Sequence, residues 1–267
     1  RPEFDVTLAY NPRSTLLAVA RVGGVSYTGL VTNGSLLPGQ GGVMRLDGGY
    51  EPLRRTPFIS IGNSKLGQSG STRAAQFMIL EQAFAEAKAP VAGDERLLTA
   101  AGRNALNSAS LGSRFFVLVN READIRQVLK LAQKTGIRVA IVGGSEAWRL
   151  ADTLAAGNVP VFVDALENLP NSFDQIGAAD DNATRLHRAG VKVSFINGND
   201  ASHNARKVRQ IAGNAVANGL PWEAGLAGIT LTPAKALGVD TQIGSIEVGK
   251  TADLVLWSGD PLEVSST

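Results

Sequence analysis

Short apolar runs alternate with amphipathic stretches through the middle of this chain, and the alternation carries most of its legible structure. Four runs stand out: Phe115-Phe116-Val117-Leu118-Val119, Arg138-Val139-Ala140-Ile141-Val142, Val159-Pro160-Val161-Phe162-Val163 and Val191-Lys192-Val193-Ser194-Phe195-Ile196. Each is short and rich in β-branched or aromatic residues, as strands buried on both faces of a parallel sheet are. Helices are predicted in the gaps. Ile125, Val128, Leu129 and Ala132 recur at helical spacing, with Gly136 where a C-terminal cap belongs. Ala147, Leu150, Ala151 and Leu154 do the same behind Ser145, which reads as an N-cap. A third helix is predicted over 181–189, and a longer one carries Val208, Ile211, Ala212, Ala215 and Val216 and ends near Gly219. Successive βα units of this kind build either an open doubly wound sheet or a barrel.

Upstream the pattern loosens. Strands are predicted over 25–31 and 58–61, a turn at Gly39-Gln40-Gly41-Gly42, and helices over 71–88 and 93–110. Two consecutive helices imply an insertion between strands. From Pro233 onward, glycine-punctuated alternation predicts hairpin strands, which divides the chain into an α/β body over 1–232 and a small β-element over 233–267.

That tail contains GSIEVGKT, Gly244 to Thr251, which satisfies the phosphate-loop pattern. Its surroundings point elsewhere. A phosphate loop opens a helix at its lysine, whereas here Ala252-Asp253-Leu254-Val255-Leu256-Trp257 reads as a strand and Gly259-Asp260-Pro261 breaks the chain soon after. A hairpin with Lys250 at its solvent-facing turn is the expectation.

Composition narrows the classes. The chain has 267 residues, 44% hydrophobic and 19% charged, with a net charge of +2. Its basic residues are scattered rather than striped among aromatics, so no nucleic-acid partner is expected. Cysteine is absent, which excludes disulfides, thiolate metal sites and cysteine nucleophiles. No apolar run is long enough for a membrane span.

ITLTPAKALGVDTQIGSIEVGKTADLVLWSGDPLE, Ile229 to Glu263, resembles the C-terminal signature of the metal-dependent amidohydrolase superfamily in its imidazolonepropionase-like branch. AVARVGGVSYTGL, Ala18 to Leu30, is similar to that family's second barrel strand, and VNREADI, VGGSEAWRLADTL and NLPNSFD continue the likeness. The resemblance implies a (β/α)8 barrel of the TIM type, incomplete at its N-terminal end, plus a small β-sandwich at the C-terminus. It also implies a short helix carrying Thr232-Pro233-Ala234, and a hydrolase acting on amide or cyclic-amide carbon–nitrogen bonds. The family holds one or two divalent metals, zinc among them, through a His-x-His pair on strand one, a lysine or glutamate on strand four, histidines on strands five and six and an aspartate on strand eight.

This chain departs from that set. It has two histidines, His187 inside a predicted helix and His203 beyond the last strand. The strand-five position reads Val117-Leu118-Val119-Asn120 and the strand-six position Ile141-Val142-Gly143-Gly144. No metal is therefore predicted, and a non-catalytic binding protein that keeps the barrel pocket is the alternative to an enzyme. Lys65 is the candidate bridging lysine, and Asp200 and His203 are the catalytic candidates. Asn120, Arg121, Glu146, Asp164 and Asn197 fall at strand ends and are the candidate substrate-binding residues, with Arg121 suited to a carboxylate of a small-molecule or peptide-like ligand. Each is equally suited to capping a helix or solvating a loop. Trp148, Trp222 and Trp257 read as packing residues. The chain opens at Arg1-Pro2, so an upstream segment of the same polypeptide is expected to supply the first barrel strand and to cover the apolar face of the tail. Export to the periplasm and homo-oligomerisation are further expectations.

Overall fold

The computed structural model describes residues 1–34, 36–62, 72–89, 96–167, 169–198 and 202–267. Seven strands form one sheet in chain order: β1 Tyr27–Leu30, β2 Leu36–Arg45, β3 Arg54–Ser60, β4 Arg114–Val119, β5 Arg138–Gly143, β6 Val161–Val163 and β7 Val193–Phe195. The pairings β1–β2 and β2–β3 are antiparallel, and β3 through β7 are parallel. The result is a curled half-barrel, with helices α1 Thr15–Val22, α2 Arg73–Lys88, α3 Ala100–Gly112, α4 Glu122–Thr135, α5 Ala151–Ala156, α6 Asn182–Arg188, α7 Val208–Ala217, α8 Trp222–Ala227 and α9 Leu231–Leu237.

Strand periodicity sorts the core into two faces. Ile59, Val117, Val119, Val139, Ile141, Val161, Val163 and Phe195 join the helices in the larger cluster. Phe58, Phe116, Ala140 and Phe162 point the other way, into the concave side, where Ala236 and Leu237 of α9 close over them. The phenylalanines interlock: Phe116 lies 5.9 Å from Phe58 and 5.5 Å from Phe162 between ring centroids, the second pair edge to face. The barrel interior is thus an apolar core.

The parallel strands lie where the apolar runs place them. α4 buries Ile125, Val128 and Leu131 and ends at Gly136, whose φ of 76° is the left-handed cap conformation. Other expectations are corrected. Gly39-Gln40-Gly41-Gly42 is no turn but the middle of β2. Its glycines serve close approach: a Cβ at Gly39 would stand 2.4 Å from the Phe4 carbonyl oxygen, and one at Gly41 1.9 Å from that of Leu30. The Gln40 amide donates to the Phe4 carbonyl at 2.7 Å, so the N-terminal segment uses the room they leave. Ser145 caps no helix; a 3-10 turn over Ala147–Leu150 precedes α5, with no side-chain cap on either.

The tail also differs from expectation. Residues 238–267 form no strand, and within 242–257 the chain keeps a Thr251 amide to Gln242 carbonyl bond at 2.9 Å. A two-stranded element with nothing on its apolar face is marginal in water, and here Ile246 and Leu256 are 89% and 95% exposed. The segment is held instead by side chains. Asp253 accepts from Tyr27 and from Arg45, the latter at 3.0 Å, and Trp257 packs on Gly24, where a Cβ would meet its ring at 2.6 Å. Lys250 does not face solvent: its side chain is 11% exposed, bonded to Ser245 and 3.4 Å from Glu247. No helix starts at Lys250-Thr251, so the phosphate-loop geometry is missing from this segment.

The outer side of β7 is partly paired, because the Phe195 amide donates to the Gly228 carbonyl at 3.0 Å. No described helix is long and apolar enough to cross a membrane.

Candidate functional site at the carboxyl rim

The carboxyl ends of β4, β5, β6 and β7 bring Asn120, Arg121, Glu146, Asp164 and Asn197 to one rim, where the side chains of Asn120, Glu146, Asp164 and Asn197 are engaged by the loops. Asn120 follows β4, and its Oδ1 accepts from the Ser145 hydroxyl at 3.1 Å. Gln175 donates in turn to Ser145 Oγ at 3.3 Å and to Glu167 Oε2 at 3.2 Å. Gly143 must be glycine here, since its φ is +90° and a Cβ would lie 2.4 Å from Asn120 Oδ1. Asn120 therefore welds the β4 and β5 ends to the loop after β6.

Glu146 is buried and braces two segments. Its Oε2 accepts from the Glu122 amide at 2.9 Å and its Oε1 from the Gly177 amide at 2.8 Å. Glu122 opens α4, whose preceding residue, Arg121, makes no capping bond. Glu146 thus caps α4 from another loop, satisfying an orphan amide and placing negative charge at the positive end of the helix. Arg121 itself is exposed.

Asp164 closes β6 onto the end of β7: its Oδ1 accepts from the Leu166 amide at 3.1 Å and its Oδ2 from the Gly198 amide at 3.0 Å. Asn197 donates to the Asn204 carbonyl at 3.0 Å. His203 is exposed in a 3-10 turn over Ser202–Lys207, and His187 lies in α6. Lys65 and Asp200 lie outside the described residues.

Sequence reasoning missed three parts of this rim. Gln175 and Glu167 join the Asn120 network, and Asn182 donates to the Gly144 carbonyl at 3.0 Å. Glu167 and Asn182, with Ser145 and Asp164, border a small recess of about 10 Å³, room for about one water. Glu167 Oε1 and Asn182 Oδ1 are buried without a partner among the described residues. Burial, helped by the charge of Asp164, pushes the Glu167 carboxyl above its ordinary value. The third part is Trp148, whose indole donates to the Gly177 carbonyl at 2.8 Å while Arg149 and Arg185 stack on it at 4.7 and 4.3 Å. No single residue among these carries a sequence signal; only the Gly143-Gly144 pair marks a tight strand exit.

Whether this rim fits a divalent metal is answered by its donors. Leu118 and Val142 occupy inner-face positions near the ends of β4 and β5, and Asn120, Glu146 and Asp164 already accept from loop donors. Among the described residues no three of His, Cys, Asp or Glu converge on a point that could hold a metal. Lys65 and Asp200, which the family resemblance would count among the donors, lie outside that set.

Comparison with known proteins agrees with the architecture. Residues 163–266 match the model of the amidohydrolase family. The chain is 35% identical over 83 residues to imidazolonepropionase of Sphingopyxis alaskensis, 31% of this chain and 21% of that protein. It is 29% identical over 145 residues to the urease alpha subunit of Photorhabdus laumondii, 52% of this chain and 23% of that one. An amidohydrolase from Thermotoga maritima superposes over 100% of this chain and 75% of its own, with a TM-score of 0.87 at 24% identity. The family match thus covers the carboxyl-terminal part of the chain, and the superposition shows the shared fold. The chain spans 8% to 23% of the length of the first curated relatives it matches.

Proposed function

We propose that the chain is the framework of a hydrolase acting on amide or cyclic-amide carbon–nitrogen bonds, and that the residues described here supply no metal donor set of their own. The match of residues 163–266 to the amidohydrolase family model supports the reaction class. The second half of the proposal rests on one observation: three of the polar side chains at the strand ends are engaged in holding loops. Asn120, Glu146 and Asp164 each accept from a loop backbone amide or hydroxyl. The same observation favours a second reading, a small-molecule-binding protein that keeps the barrel without the hydrolysis.

Division of the chain at 232/233, cover for the exposed tail by further strands of the same polypeptide, and export to the periplasm belong to the same proposal. The strongest support among these is for the cover, because Ile246, Val248 and Leu256 present an apolar row to solvent. Elemental analysis of purified protein together with hydrolysis of simple amides and cyclic amides, before and after zinc addition, separates the readings. Metal-free protein without hydrolysis supports the binding protein. About one bound zinc per chain with zinc-dependent turnover overturns the donor assignment made here.

A further inference from the structure

The opposite rim of the sheet carries a different chemistry. β3, β4 and β5 open on Arg54, Arg114 and Arg138, and these three line a cavity of about 220 Å³ together with Arg55 and with Lys235 of α9. Phe116, Ala236 and Leu237 contribute apolar wall, and Thr56 and Ser113 contribute hydroxyls. Among the described residues no aspartate or glutamate lines it.

Its cations are poorly compensated. Arg55 is paired with Asp5 at 2.7 Å. Arg54, Arg114, Arg138 and Lys235 form no ion pair among the described residues, and the charge of Lys235 acts on the exposed Glu247. Arg54 and Arg138 both donate to the Gly112 carbonyl at 3.1 Å, which fixes two guanidinium groups at one point without neutralising either. Arg114 and Arg138 are register partners on adjacent strands. Like charges directly opposed on a sheet are unfavourable, and a half-buried cation without a counter-charge costs more. Burial and the Arg138 charge push the Arg114 guanidinium below its ordinary value. Arg114 is half-buried, and Arg54, Arg138 and Lys235 are exposed.

We propose that this amino-terminal rim is a binding site for a compact polyvalent anion of the phosphate class, with Arg54, Arg114, Arg138 and Lys235 as its contacts. Planar guanidinium forks match pairs of phosphate oxygens, and several converging on one recess select charge density over shape. The cavity is smaller than the roughly 300–1,000 Å³ of drug-sized ligand sites, which suits pyrophosphate better than a whole nucleotide. The site is on the face away from the metal question, so its fate is independent of the proposed hydrolase.

The probe is inorganic pyrophosphate, titrated calorimetrically into the purified chain at constant ionic strength, with thermal unfolding measured alongside. One saturable site per chain and a raised unfolding temperature are expected, and Arg114→Gln and Lys235→Gln each weaken binding at least tenfold. In anion-free buffer Arg114→Gln unfolds no lower than the parent, because an uncompensated charge has been removed. Absence of saturable heat, or stabilisation equalled by chloride at the same ionic strength, overturns the proposal. So does Lys235→Gln binding like the parent while Arg114→Gln unfolds lower without anion, since the charges would then be structural.

Discussion

Glu146 separates a bracing role from a ligand-binding one, and its removal has a calculable cost. Both carboxylate oxygens accept from backbone amides, at 2.9 Å from Glu122 and 2.8 Å from Gly177, and the residue is buried. A hydrogen bond to a charged partner contributes about 1.5–3 kcal/mol, so Glu146→Ala, which leaves two amides unpaired, is expected to cost about 3–5 kcal/mol. Glu146→Gln keeps one acceptor and turns an amide group toward the other N–H, for a loss of about 2 kcal/mol. At about 2–4 °C per kcal/mol for domains of this size, the alanine variant should melt roughly 10 °C lower. Urea unfolding followed by circular dichroism measures the difference, with an unchanged denaturant slope showing that the unfolded state is not the cause. An alanine variant within about 0.5 kcal/mol of the parent, the usual range for unstructured surface changes, would refute the bracing role and return Glu146 to the pool of free ligands.

Three further outcomes are expected. Phe116→Ala, by emptying the centre of the aromatic stack on the concave face, should cost about 3–5 kcal/mol in the same unfolding assay; a loss under about 1 kcal/mol would mean the interior is not close-packed. Glu167 has a raised folded-state carboxyl value, so the folded state binds its proton more tightly, and stability falls as pH rises from the ordinary 4.5 through that folded value. Glu167→Gln should therefore match the parent in acid and exceed it near neutrality, and parallel pH profiles of the two would contradict this. Lys250→Ala should leave the heats of titration with ATP and magnesium unchanged; saturable binding lost in the variant would restore the phosphate-loop reading of Gly244 to Thr251.

Strands β4 to β7 and helix α4 were determined by local pattern alone, because a buried parallel strand must be apolar on both faces and a surface helix must show its stripe. The tail signature likewise carried the family resemblance by itself, and α9 forms where that signature places its Thr232-Pro233-Ala234 segment. Positions such as Gly39 and Gly41 were beyond local reading: a glycine that bends the chain and one that admits another backbone look alike in sequence, and only the approach of Phe4 and Leu30 tells them apart. The hairpin expectation for 242–257 failed for a related reason, since strand propensity is realised only where a third element buries the apolar face. At the carboxyl rim, sequence located Asn120, Glu146, Asp164 and Asn197 at strand ends, but whether a polar side chain there is free or spent depends on loops distant in the chain, as Glu146 and Gly177 show. The arginines of the opposite rim are plain in sequence as single residues before apolar runs. What they become is set by parallel register, which brings Arg114 beside Arg138 and joins them with Arg54 in one cavity, because charges far apart along the chain act together only where the sheet aligns their strand ends.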